Sequence, residues 1–106
     1  MALEEDIVMV ELTEPFDAAK YLTQPEDQVE LLNDALVSGD RAYIAHALGI
    51  VARARGGIGK LAADAGLGRQ ALHRALRKDG NPQLDTLLKV LNALGLRMKI
   101  EQREAA

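Results

Sequence analysis

Residues 58–77 read IGKLAADAGLGRQALHRALR, a pattern of two short helices separated by a tight turn. Ala62 and Gly66 are small where two crossing helices need to approach closely, and Gly66 can adopt the left-handed conformation that ends a helix. Leu61, Leu67 and Leu72 can supply an apolar wedge between the two helices. The stretch therefore predicts a helix-turn-helix at residues 58–77.

The second helix of this motif has one strongly polar side. At about 100° per residue, an arc of roughly 140° collects five polar side chains, while alanines and leucines fill the opposite arc. The polar arc consists of Arg69, Gln70, His73, Arg74 and Arg77, with no acid among them. Arginine can bond guanine O6 and N7, and glutamine adenine N6 and N7, so the pattern predicts a helix that reads DNA. A basic helix that is merely solvated is the weaker alternative, because such helices usually mix Glu and Lys.

The charges are divided unevenly along the chain. The net charge is −3, yet residues 1–40 hold eleven acids against Lys20 alone, and residues 41–106 hold twelve bases against five acids. Residues 51–80, around the motif, carry seven bases and two acids, which favours contact with phosphates. The acidic half has two interpretations that stay open: a solubilising surface, or a docking surface for a basic partner.

Length and composition indicate one small, mostly α domain that spans residues 1–106. Alanine and leucine dominate and favour helices. Cysteine is absent, which agrees with a reducing cytoplasm. The N-terminus is acidic where a signal peptide would be basic, and no apolar run is long enough to span a bilayer. We therefore expect a soluble cytoplasmic protein without a membrane partner.

Cap and turn signals predict five to six helices. Residues 1–22 form an acidic N-terminal arm with one helical turn near its end, and Asp40 is expected to cap a later helix. After the motif, Asn81 is a suitable N-cap and Pro82 a suitable first helical residue. Beyond the arm, helices are expected at about 25–37, at about 41–55, twice within 58–77, and at about 82–94.

The end of the chain predicts a β-strand. Residues 96–102 alternate apolar and charged side chains, and their plausible mate is the β-prone run Ile7–Leu12, in the same chain or in a second copy. The leucine stripe over 84–94 can serve the core alone, or the core together with a dimer contact. A dimer surface could thus lie on the stripe or on the terminal strands.

Signals for enzymatic or metal chemistry are weak. Residues 57–62 fit a loose dinucleotide-binding pattern, but they follow a predicted helix instead of a strand. The same glycines do not fit a Walker loop, because Leu61 stands where Ser or Thr is needed. His46 and His73 are far apart, with no cysteine to complete a metal site. We expect no catalytic residue, no cofactor and no metal.

Several further motifs resemble a single family. They are PFDAA at 15–19 with Tyr21 and Leu22, ALGIVARARG at 47–56, LGR at 67–69, GNP at 80–82 and LKVLNALGL at 88–96. Over about residues 13–102 the chain resembles the HigA-type addiction-module antitoxins of the Xre/Cro-like (lambda-repressor-like) helix-turn-helix class.

This resemblance implies a bacterial antitoxin that neutralises a small basic ribonuclease toxin of the RelE/HigB superfamily. It also implies a homodimer that binds double-stranded operator DNA and represses its own operon. By position in the motif, the resemblance implies that Lys60 contacts a phosphate. It also implies that four residues of the second helix contact the duplex, namely Arg69, Gln70, His73 and Arg74. The alternatives are a stand-alone dimeric Xre-family repressor without a toxin, and an interaction module that has lost DNA binding.

One position departs from the family pattern. Members of the class usually begin the second motif helix with Ser or Thr, whose hydroxyl caps the helix and can touch a phosphate, whereas this chain has Gly68. Glycine at a cap costs only a few tenths of a kcal/mol relative to such residues, so the helix is expected to form. The hydroxyl contact to phosphate is lost.

Overall fold

The computed structural model describes residues 18–77 and 79–104. In these residues a short 3-10 helix, Ala18–Tyr21, precedes five α-helices. They are α1 Pro25–Ser38, α2 Arg41–Ala54, α3 Ile58–Ala65, α4 Arg69–Leu76 and α5 Leu84–Ala93. The prediction of a mostly α fold is confirmed. Most of the acidic arm, including Ile7–Leu12, lies outside the described residues.

Local signals set most of the helix ends. The Asp40 carboxylate accepts a hydrogen bond from the Ala42 N–H at 2.9 Å and so caps α2, as its position predicts. Gly39 and Gly66 end α1 and α3 in the left-handed conformation, with φ of 70° and 72°. Each of these helix ends is set by its own capping residue, so the sequence is enough to locate it.

The start of α5 differs from the prediction. The helix begins at Leu84 with Gln83 as its N-cap, two residues later than Asn81 and Pro82 suggest. Gly80 is buried against the end of α4, and its N–H donates to the Arg77 carbonyl at 2.7 Å. Because the chain first has to leave this turn, Gln83 is still extended, with ψ of 161°, before the helix starts.

Helix α2 lies at the centre of the core. It packs against the 3-10 helix, α1, α3 and α4, while α5 packs against α3. The largest fully buried side chains are Leu48 and Val51 of α2, Leu72 of α4 and Val90 of α5. Full burial of such a side chain contributes about 1.5–3 kcal/mol, so these residues hold α4 against the rest of the fold.

A polar network joins four parts of the chain beside this core. Gln28 is only 3% exposed, and its Nε2 donates to the Leu22 carbonyl at 2.7 Å. Its Oε1 accepts from Arg55 Nε at 2.6 Å, and Arg55 Nη1 donates to the Leu94 carbonyl at 2.6 Å. Arg55 therefore connects α1 and the end of α5, although the charge pattern groups it with the bases around the motif.

The predicted strand at 96–102 is wrong: the described residues contain no strand. A strand needs a neighbouring backbone to bond, and no other part of the described chain offers one to this segment. Leu96 N–H instead donates to the Leu91 carbonyl at 2.8 Å and closes the end of α5. The segment then runs beside α1, with Ile100 96% exposed.

The leucine stripe of α5 divides between core and surface. Leu91 and Leu94 are buried and Leu87 is half-buried, whereas Leu84 and Leu88 are 64% and 47% exposed. The inner part of the stripe thus serves the core, and two leucines one turn apart remain on the surface. None of the described helices combines the length and the apolar character needed to cross a membrane.

Candidate nucleic-acid interface

Helices α3 and α4 form a tight corner. Each has eight residues, and residues 66–68 join them. The Leu67 N–H donates to the Ala62 carbonyl at 2.9 Å across the left-handed Gly66. Ala62 and Leu72 are buried at this corner. The small residues therefore do what the sequence pattern predicts, which is to let the two helices pack closely.

The two sides of α4 differ sharply. Leu72 and Leu76 are 1% and 4% exposed and anchor the helix in the core. The opposite side carries no acid, and its exposed polar residues are Arg69, Gln70, His73 and Arg74. Ala71, which the helical pattern places on the packed side, is exposed. On α4 only the i, i+4 leucine pair is buried, so the buried side of the helix is narrower than the sequence indicates.

Backbone packing fixes the C-terminal end of α4. A Cβ atom at Gly80 would lie 2.1 Å from the Ala75 carbonyl oxygen, and one at Gly49 would lie 3.2 Å from the Leu76 carbonyl oxygen. Neither glycine has a positive φ, so the constraint at each is limited space and not an unusual conformation. The sequence motifs do not predict this role, although a glycine inside a helix, such as Gly49, is a recognisable signal of close packing.

Two of the predicted DNA-contacting residues have acidic neighbours. Lys60 Nζ lies 2.9 Å from Asp64 Oδ2, and Arg77 Nε lies 3.3 Å from Asp79 Oδ1. All four side chains are about half exposed or more, and exposed pairs of this kind contribute only about 0–1 kcal/mol. Either base can therefore exchange its carboxylate for another anion at little cost.

The remaining predicted residues have no polar partner among the residues that the structure describes. Arg69, Gln70, His73 and Arg74 make no side-chain hydrogen bond or ion pair within the part of the chain that the structure describes. Their donors face solvent from a helix whose other side is packed. The exposed face of α4 therefore presents hydrogen-bond donors that have no partner among the described residues, on a helix held in place by its packed side.

The structure does not bring Lys60 onto this face. Lys60 lines a cavity of about 130 Å³ with Arg55, Asp64 and Leu94, between α3 and the end of α5. Gly59, the residue before Lys60, lies next to the Arg69 side chain instead. Neighbouring helical residues point about 100° apart, so Lys60 and Arg69 serve different sides of the corner.

Comparison with known proteins identifies the family. A family model described as a probable addiction module antidote protein matches residues 12–102. The chain belongs to this family of probable addiction module antidote proteins. An uncharacterized protein of Haemophilus influenzae is 39% identical over 98 residues, which cover 92% of this chain and all of that protein. No solved structure matches the chain. The antitoxin kind indicated by the sequence motifs is confirmed, while the HigA type and the Xre/Cro-like class stay predictions.

Proposed function

We propose that the chain is the antitoxin of a toxin–antitoxin module and that it binds operator DNA through the exposed face of α4. Family membership supports the antitoxin role, because an antidote implies a toxin partner. The observation that carries DNA binding is the set of four exposed polar side chains on α4, none of which has a partner within the described residues. A packed helix with such an outer face is what a helix-turn-helix presents to the major groove.

In this proposal α3 and α4 are an Xre/Cro-like helix-turn-helix, and α4 enters the major groove. Arg69 and Arg74 bond guanines, Gln70 bonds an adenine, and His73 and Arg77 contact base edges or phosphates. Lys60 exchanges Asp64 for a phosphate at the edge of the site, which strengthens binding without regard to sequence. Repression then follows from steric exclusion of polymerase at the chain's own promoter.

A homodimer completes the DNA-binding part of the proposal. Two copies of α4 would lie in successive major grooves, about 34 Å apart, on a palindromic operator. Exposed Leu84 and Leu88 on α5 support a second copy as partner, because large apolar side chains on one helix face favour burial.

The proposed toxin is a small basic ribonuclease of the RelE/HigB superfamily. Glu26, Glu30 and Asp34 are exposed on α1, and the preceding residues add further acids. Opposite charges steer association and suppress wrong partners, so an acidic surface suits a toxin whose RNA-binding side is basic.

The DNA-binding part can be tested by fluorescence anisotropy at several salt concentrations. The probes are a duplex from directly upstream of the gene and a scrambled duplex of the same composition. We expect Gln70→Ala and Arg74→Ala each to cost roughly 1–3 kcal/mol on the upstream duplex and to reduce the preference for it. We expect Lys60→Ala to weaken both duplexes alike and to lower the salt dependence.

Lys89→Ala is the matched control, because it removes one base that pairs with Asp85 on α5, away from α4. It should leave the preference between duplexes unchanged. If the Gln70 and Arg74 variants lost affinity equally for both duplexes, as expected for the Lys60 variant, base reading by α4 would be contradicted.

The toxin part is tested by co-expression with the product of the adjacent gene. A stable complex and rescue of growth are expected. Absence of both, with operator binding intact, would favour a stand-alone Xre-family repressor. Absence of DNA affinity even at low salt would favour an interaction module.

A further inference from the structure

Gly59 has no conformational reason to be a glycine. It is the second residue of α3, and its φ is not positive. In helix interiors glycine is a poor helix former and alanine is the best. Gly57, two residues earlier, differs because its φ of 102° favours glycine.

The space beside Gly59 is occupied by Arg69. A Cβ atom at Gly59 would lie 3.3 Å from Arg69 Nε and 3.6 Å from Arg69 Cδ, and among the described residues these are the only atoms outside α3 within 4 Å of it. At Gly49 and Gly80 the nearest atoms are backbone oxygens. Gly59 therefore differs from Gly49 and Gly80 in that its neighbour is a proposed DNA-contacting side chain.

We infer that Gly59 is a positioning residue for Arg69, an inference that rests on the DNA binding proposed above. Without a Cβ atom, α3 lets the stem of Arg69 lie directly on its first turn. The contact restricts the rotamers of a long side chain before the duplex arrives, so less side-chain entropy is lost on binding. It also sets where the guanidinium stands relative to α4.

A methyl group at Gly59 should displace Arg69 and leave the fold intact. The contact of 3.3 Å to Nε is tighter than a methyl group normally makes, so the arginine stem has to move away from α3 by a few tenths of an ångström. No backbone atom of α4 is near enough to be pushed. The expected consequence is weaker operator binding by a protein that unfolds at the same temperature or higher, since alanine favours helix.

A double-mutant cycle tests this inference with the same two duplexes. We expect Gly59→Ala to lower affinity for the upstream duplex by about threefold or more, a coupling typical of residues in contact. In an Arg69→Ala background the further loss from Gly59→Ala should be less than about twofold, because the displaced group is gone. In a Gln70→Ala background, the matched control, the full loss should persist.

The outcomes separate the two proposals. Wild-type protein that binds neither duplex overturns the proposed function and this inference with it. If wild type binds and Arg69→Ala weakens binding, but Gly59→Ala binds like wild type, only the inference is overturned. A loss that persists in the Arg69→Ala background also overturns it. Gly59→Ala could also lower the melting temperature. If it lowers the melting temperature equally in the Arg69→Ala background, the backbone itself needs the glycine, and this result also contradicts the inference.

Discussion

The two ends of α4 are held by different means. At the C-terminal end the backbone itself is enclosed, because the carbonyl oxygens of Ala75 and Leu76 lie against Gly80 and Gly49. At the N-terminal end the contact with α3 beside Gly59 is made by the Arg69 side chain, and no backbone atom of α4 comes as close. One end of the helix is thus fixed by main-chain packing, while the other is lined by a flexible side chain.

This contrast predicts which substitutions should affect stability and which should affect DNA binding. A rigid backbone cannot move away from an added methyl group, so the fold has to absorb the clash. A side chain can move, so the fold survives and the position of the side chain changes. Glycine-to-alanine substitutions at the two ends should therefore separate folding from DNA recognition.

The largest expected effect is that of Gly80→Ala. A Cβ atom 2.1 Å from the Ala75 oxygen cannot be accommodated without shifting the loop away from α4. We expect a loss of about 3 kcal/mol in the free energy of unfolding, the upper end for overpacking. Urea denaturation followed by circular dichroism measures it. A loss below about 0.5 kcal/mol, the range of ordinary surface substitutions, would mean that the two segments are not so close.

The next prediction compares two arginines, Arg55 in the polar network beside the core and Arg74 on the surface of α4. Arg55→Ala removes two hydrogen bonds and leaves buried Gln28 short of a partner, which should cost about 1–3 kcal/mol of stability. Arg74→Ala, on the exposed side of α4, should change stability by less than about 0.5 kcal/mol and weaken operator binding instead. Urea denaturation and anisotropy on both variants measure the contrast. Similar stability losses for the two would remove the distinction.

The smallest effect comes from comparing Gly49→Ala with Gly59→Ala. Both replace a helical glycine; in a helix interior, where Gly49 lies, alanine gains about 0.8–1 kcal/mol from helix propensity. At Gly49 the 3.2 Å contact with the Leu76 oxygen should offset or exceed that gain, because the neighbour is backbone. We expect Gly59→Ala to be more stable than Gly49→Ala by about 1 kcal/mol, the lower range for overpacking. Equal melting temperatures of the two variants would indicate that both ends of α4 accommodate the added methyl group equally well.

Local chemistry made much of this architecture readable in advance. The Asp40 cap, the left-handed Gly39 and Gly66, and the alternation of leucines and bases on α4 each depend on a few consecutive residues. Helix formation satisfies backbone hydrogen bonds within the segment, so its signals stay local. The corner at residues 58–77 and the exposed polar side of α4 follow from such signals alone.

The features that the sequence predicted wrongly or did not predict depend on contacts between segments that are distant in the chain. A strand at 96–102 requires a partner that the alternation of side chains cannot specify, and the described chain provides none. The roles of the bases also differ for this reason. Arg55 bonds residues 27 and 39 positions away, whereas Lys60 pairs with Asp64 in the next turn. Composition counts both as positive charge near the motif.

The amino-acid sequence alone was therefore enough to predict where most helices begin and end and which side of α4 is polar. Both properties depend on neighbours within one or two helical turns. Packing in three dimensions was needed to reveal that Gly49 and Gly80 enclose the backbone of α4, that Arg55 belongs to the fold, and that Arg69 lies on Gly59. Those contacts join segments far apart in the chain, and their distances exist only after the helices have packed.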